Sequence, residues 1–129
     1  MLIVDSSVWI DFFAGRELPH VQRLGEALLS DEEIGVPDIV RLEILSGVRK
    51  DVTLRKITSN LNALHRVAAR DDDWDAAAAL YRTCRRNGVT IRSVVDCLIA
   101  RLALRDDASL LAHDRDFAMM VPHCGLRLA

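Results

Sequence analysis

An α/β fold is what this chain of 129 residues predicts, with a parallel sheet covered by helices on both faces to make three layers. Short β-like apolar runs alternate with longer stretches of helical periodicity, the order that parallel βαβ units require. Acidic residues interrupt or end several of those runs, and they fall where such a sheet would gather them at one edge. Half of the residues are hydrophobic and the length suits one domain, 1–129, around a single core.

Met1 to Val4 forms a short strand, stopped by the capping residues Asp5, Ser6 and Ser7. Val8 to Ala14 reads as a short helix closed by Gly15, and Val21 to Leu29 carries apolar residues at a second helical spacing. Ile34 to Pro37 is a strand and turn, after which Asp38 caps a helix from Ile39 to about Val48. A helix over about 52–64 leads to a small strand at Arg66 to Ala68. The run Asp71-Asp72-Asp73 suits the positive end of an Ala-rich helix, Trp74 to Arg86, whose Arg82, Arg85 and Arg86 suit its negative end. Ser93 to Leu104 is apolar nearly all round, so it is a buried helix. Ala108 to Ala112 makes a strand, Asp114 to Met120 a short helix, and Leu126 to Leu128 a last small strand.

Bulk properties exclude several classes. No apolar run reaches about 18 residues, so no segment spans a bilayer, and MLIVDSSVWI lacks the basic start of a secretory leader. Cys84, Cys97 and Cys124 lack the spacing of a disulfide frame or zinc site and read as reduced thiols in a cytoplasm. A net charge of −2 argues against gripping long duplex DNA over the whole surface.

Four acids carry the functional reading. Asp5 and Asp114 each follow a strand directly, so both face the edge where open parallel sheets bind ligands. Asp5 has an ordinary explanation as a helix cap, but Ser6 and Ser7 are equally good caps and lie closer to the helix. Glu43 shares a helical stripe with Ile39, Val40 and Gly47, away from Arg41 and Arg49. Asp96 follows Ser93 by three, resembling a capping box, and its place near the positive end of a helix predicts a depressed pKa. Asp116 reads as a solvated first-turn acid, and His113 as a residue without an acid–base partner. Ser7 and Ser93 are placed to support a carboxylate by hydrogen bonding. Charges in apolar surroundings are costly without a partner, and no Lys or Arg is interleaved with these acids at inward positions. The missing partner is therefore read as a metal, and oxygen-only donors suit Mg2+.

The segments LIVDSSVWIDFF, VRLEILSG, SVVDCLIARLAL and LLAHDRDF, in this order and spacing, resemble the PIN domain, and more narrowly the VapC toxins of bacterial toxin–antitoxin pairs. The resemblance covers essentially the whole chain. It implies a Rossmann-like α/β/α sandwich and a ribonuclease dependent on Mg2+ or Mn2+. The family's catalytic acids align with Asp5, Glu43, Asp96 and Asp114, of which Asp5, Asp96 and Asp114 would hold metal. Ser7 would support Asp5, and Asp116 would be an accessory acid. The resemblance also implies a homodimer, an RNA substrate and inhibition by a cognate VapB-type antitoxin. Two other classes fit less well. A haloacid-dehalogenase-like phosphatase needs an Asp where Ser7 stands, and a phosphoacceptor receiver needs an acidic pair before the first helix. A PIN-fold binding module without catalysis is separable only by assay.

Overall fold

The computed structural model describes residues 1–129. β1 (Leu2–Val4) is buried throughout, as a strand in the middle of a parallel sheet must be. It leads into α1 (Ser6–Phe13) and α2 (Pro19–Leu29). β2 (Ile34–Pro37) is followed by α3 (Asp38–Ser46) and α4 (Asp51–Asn62), and β3 (His65–Val67) by the long α5 (Asp71–Arg86). α6 (Val94–Arg105), β4 (Ser109–Leu111) and α7 (Arg115–Cys124) complete the chain.

The four strands are all parallel, in the order β3-β2-β1-β4. Successive crossovers carry the chain from β1 to β2 to β3 in one direction, and β4 then returns to the far side of β1. That reversal places the segments leaving β1 and β4 next to each other, at the switch point where open α/β sheets bind ligands. Leu110 of β4 lies beside Ile3 of β1, and Asp5 N–H donates to Leu111 O at 2.9 Å, so the ends of the two strands are locked together. Gly35 is required in β2, because a Cβ there would sit 2.9 Å from both the Val67 side chain and Met1 Sδ.

The expected all-round apolar helix is α6, with Cys97, Leu98, Ile99, Ala100, Leu102 and Ala103 buried, and α5 packs along it. Trp9 stacks on Phe13 and meets Phe12 edge-on, and at 1% exposure it belongs to the core. Two elements differ from the sequence reading. α7 runs on to Cys124 because Phe117, Met120, Val121 and Cys124 continue an apolar face, with Pro122 tolerated in the last turn and Gly125 (φ 74°) ending the helix. The expected strand at Leu126 to Leu128 is a single bridge, Leu128 to Leu110, made by Leu110 N donating to Arg127 O at 2.9 Å and Ala129 N to Leu110 O at 2.8 Å.

The acidic run before α5 also does more than cap. Asp71 and Asp72 stay exposed in the first turn, whereas Asp73 is fully buried. Asp73 accepts from Arg70 N at 2.7 Å, from Arg101 Nε at 3.0 Å and from Arg105 Nη1. Burial alone would raise its carboxyl, but these donors hold it below the usual carboxylate range. The start of α5 is thereby tied to the last two turns of α6. Asp73→Ala cuts the ionic tie between α5 and α6, leaving Arg105 on Asp106 and the Ala68 carbonyl and Arg101 beside Asp72, and should cost about 2 kcal/mol of stability, read from the midpoint of urea unfolding.

Candidate active site

Asp5 leaves β1 nearly buried and caps α1 itself, although Ser6 and Ser7 lie closer to the helix. Its Oδ2 accepts from Ser7 Oγ at 2.6 Å and from Ser7 N at 3.3 Å. The helix start thus fixes one carboxylate oxygen and leaves Oδ1 free of protein donors. Asp114 does not follow its strand directly, since Ala112 and His113 separate it from β4, but it likewise caps a helix, α7, through a 2.9 Å bond from Asp116 N to its Oδ1.

Asp96 enters from the first turn of α6, half-buried. The capping box with Ser93 does not form, for the Ser93 side chain makes no cap bond and Asp96 N reaches the Ser93 carbonyl at 3.1 Å instead. The expected depressed pKa is also reversed: burial, then the charges of Asp5, Asp114, Asp116 and Glu43, push Asp96 up to about 7. One helix terminus does not offset four like charges plus lost hydration.

Asp116, expected to be solvated, is 2% exposed. It accepts from Arg92 N at 3.0 Å and Arg92 Nε at 3.2 Å, while Arg92 Nη2 reaches Asp114 Oδ1 at 2.8 Å. Burial pulls the Asp116 carboxyl upward, but Arg92 outweighs it and holds the group below its ordinary value. No Lys or Arg is expected among the acids at inward positions, and the basic residue that does reach them, Arg92, precedes α6 in sequence and comes from the solvent side, with its side chain 62% exposed. A weak signal existed: an arginine beside the N-terminal end of a helix opposes the helix dipole, and nearby acids offset that.

Single oxygens of Asp96, Asp114 and Asp116 all lie within 4.8 Å of one another. Asp5 and Glu43 are outside that triplet, yet Asp5 is the strongest charge acting on Asp96. Glu43, on α3, is exposed rather than inward-facing. Its carboxyl is nevertheless raised, first by partial loss of hydration and then by Asp5, with Ser6 opposing. The chemistry of this donor set, carboxylate oxygens alone with one acid driven towards neutrality by its neighbours, fits a hard divalent cation.

His113 takes no part in this group. Its ring stacks on His20 at 4.2 Å, and a 2.7 Å hydrogen bond joins His20 Nε2 and Asp11 Oδ2. The Asp11 carboxyl is held low by His20 and then by Arg16, an ion cluster that fixes the turn between α1 and α2.

The PIN-domain profile matches residues 2–120. The chain is 36% identical over 133 residues to Ribonuclease VapC11 of Mycobacterium tuberculosis, covering 100% of this chain and 98% of that protein. It is 31% identical to Ribonuclease VapC19 of the same species over 120 residues, 92% of this chain and 94% of the relative. The chain therefore belongs to the PIN-domain family, in its VapC branch. Among solved structures, VapBC2 from Rickettsia felis bound to a promoter DNA fragment superimposes with a TM-score of 0.78 at 18% identity, covering 99% of this chain and 96% of that one. VapBC from Salmonella typhimurium bound to DNA gives 0.75 at 13% identity, with the same coverage, and both show the fold.

The raised pKa of Asp96 links stability to pH. The folded state holds this proton more tightly than the unfolded chain, so the associated stability is complete below about pH 4 and is lost as pH rises through about 7. Without added cation, Asp96→Asn should flatten this slope and raise stability at pH 7.5 by about 1–3 kcal/mol, seen in paired urea melts at pH 5.5 and 7.5. Equal slopes in the two proteins would remove Asp96 from the charged group.

Proposed function

We propose that this chain is a VapC-type toxin: an endoribonuclease dependent on Mg2+ or Mn2+, acting on RNA and held inactive by a VapB-type antitoxin. The observation that carries this reading is the convergence of Asp96, Asp114 and Asp116 beside Asp5 at the sheet's switch point, in a chain related over its full length to VapC ribonucleases. Asp96, Asp114 and Asp5 are the proposed ligands, with Asp116 joining them through the oxygen that Arg92 leaves free. When bound, the divalent cation lowers the pKa of a water ligand and stabilises charge developing on the phosphoryl oxygens.

The chain's own groups have separable tasks in this reading. Ser7 fixes the rotation of Asp5, and the start of α7 fixes Asp114, so two carboxylates are aimed before anything binds. Asp96 holds a proton at its carboxyl near neutral pH and gives it up on cation binding, so cation affinity and cleavage should both rise as pH passes through about 7. Glu43, at the Asp5 side of the group, is the proposed acceptor that orients the attacking water. A single-stranded or looped RNA suits this crevice, because its phosphates are accessible without opening a duplex.

The antitoxin and a second copy of the chain are the proposed protein partners, as the VapC relationship supports. No helix is long and apolar enough to cross a membrane. The three free cysteines accord with a reducing cytoplasm, the proposed site of action.

Purified chain, free of antitoxin, should cut total cellular RNA into discrete products with Mg2+. EDTA and Asp5→Ala should each abolish that cleavage, and Asp96→Asn should lower the rate at least about 100-fold with the fold retained. In cells, unopposed expression should arrest growth and Asp5→Ala should relieve the arrest. A folded wild-type protein that cuts nothing would leave a PIN-fold binding module in place of the enzyme.

A further inference from the structure

Arg92 donates to the carboxylate group with its main chain and its side chain, and the two are not equivalent. Its backbone N–H binds Asp116 Oδ2 and anchors the residue whatever the side chain does. The guanidinium, bonded to Asp114 Oδ1 and Asp116 Oδ2, is 62% exposed and reaches these oxygens from the solvent side. Arg115 lies near enough to act on Asp116 but makes no ion pair with it, so Arg92 is the only basic side chain hydrogen-bonded to the clustered acids.

The two oxygens that Arg92 takes belong to two of the three carboxylates close enough to share a cation. A divalent ion approaching this cluster meets a positive charge already bonded to its prospective ligands. Two such charges repel strongly at short range, even at the moderate effective dielectric of a protein surface. An exposed guanidinium on a flexible stem can swing into water at small cost, whereas Asp114 stays held by the start of α7 and Asp116 by the Arg92 backbone N–H.

We infer that the Arg92 guanidinium is an exchangeable counter-ion of Asp114 and Asp116, which a divalent cation displaces on binding. Arg92 is thus a positioning residue with an opposing effect: it keeps the acid cluster compact without metal and weakens the metal's hold on it. The inference rests on the reading of this cluster as a cation site. It gives a sign opposite to that of a merely structural clamp, whose removal would loosen the ligands and weaken binding.

The test is calorimetric titration of Mn2+ into the full-length chain, free of antitoxin and RNA, for wild type, Arg92→Gln and Arg92→Lys. Arg92→Gln should bind Mn2+ at least about tenfold more tightly than wild type, and Arg92→Lys, which keeps the charge, should stay near wild type. Without cation, Arg92→Gln should melt below wild type, because Asp116 loses its main counter-charge, and saturating Mn2+ should close the gap. Should Arg92→Gln be unfolded without cation, Mn2+ should refold it, and failure to refold would overturn the inference. Equal or weaker Mn2+ binding by Arg92→Gln overturns it too, while a wild type that still binds Mn2+ and cuts RNA leaves the proposed function standing. A wild type that neither binds Mn2+ nor cuts RNA sinks both.

Discussion

Mutual repulsion among carboxylates at one sheet edge is the constraint around which this molecule is arranged. The strand order β3-β2-β1-β4 brings the ends of β1 and β4 together, with Asp5 directly after β1 and Asp114 three residues past the end of β4. α6 delivers Asp96 between them, and α3 delivers Glu43 on the Asp5 side. No packing gain compensates such a gathering, because like charges at low hydration destabilise one another and the fold that holds them. The rise of Asp96 to about 7 is the local record of that conflict.

Three devices keep the conflict tolerable. Helix starts supply backbone N–H groups to Asp5 and Asp114, each aligned with the positive end of a helix. Arg92 brings one positive charge to the Asp114 and Asp116 side. Asp96 retains a proton. None of the three satisfies the whole group, and a divalent cation would satisfy more of it at once than any of them. The same features that make the cluster costly for folding are those that suit it to a divalent cation, since it offers oxygen donors in excess of positive charge.

Much of this was legible in the chain. Asp5 and Asp114 announce themselves because strand ends can be read from composition, and parallel βαβ order then dictates which edge they share. The length of α7 was harder to read, because Pro122 imitates a stop signal while the apolar face at Phe117, Met120, Val121 and Cys124 runs past it. Partners across long sequence separations were not legible at all. Asp116 looks like any first-turn acid until the loop carrying Arg92, 24 positions away, is folded against it. Asp73 looks like one of three capping acids until α6 supplies Arg101 and Arg105. The rise of the Asp96 pKa is hidden for the same reason: a helix dipole is visible in sequence, but four converging charges are not.

Asp73 and Asp116 are chemically the same device, a buried aspartate held by arginine, and their differences show which is permanent. Asp73 is fully buried, has two guanidiniums and a backbone N–H, and Arg105, its partner on α6, is itself only 11% exposed. Its charge is matched although Arg105 also pairs with Asp106, and the Arg105 guanidinium cannot leave without unpacking α5 from α6. Asp116 shares one guanidinium, 62% exposed, with Asp114, while Asp96 stands beside both without a partner. That side of the molecule is short of positive charge by construction. A fold that can build the matched cluster at one helix junction has the means to build it at the other. The mismatch at the sheet edge, next to carboxylates already aimed by their helices, is what a site needs if it is to draw a cation from solution and release it again.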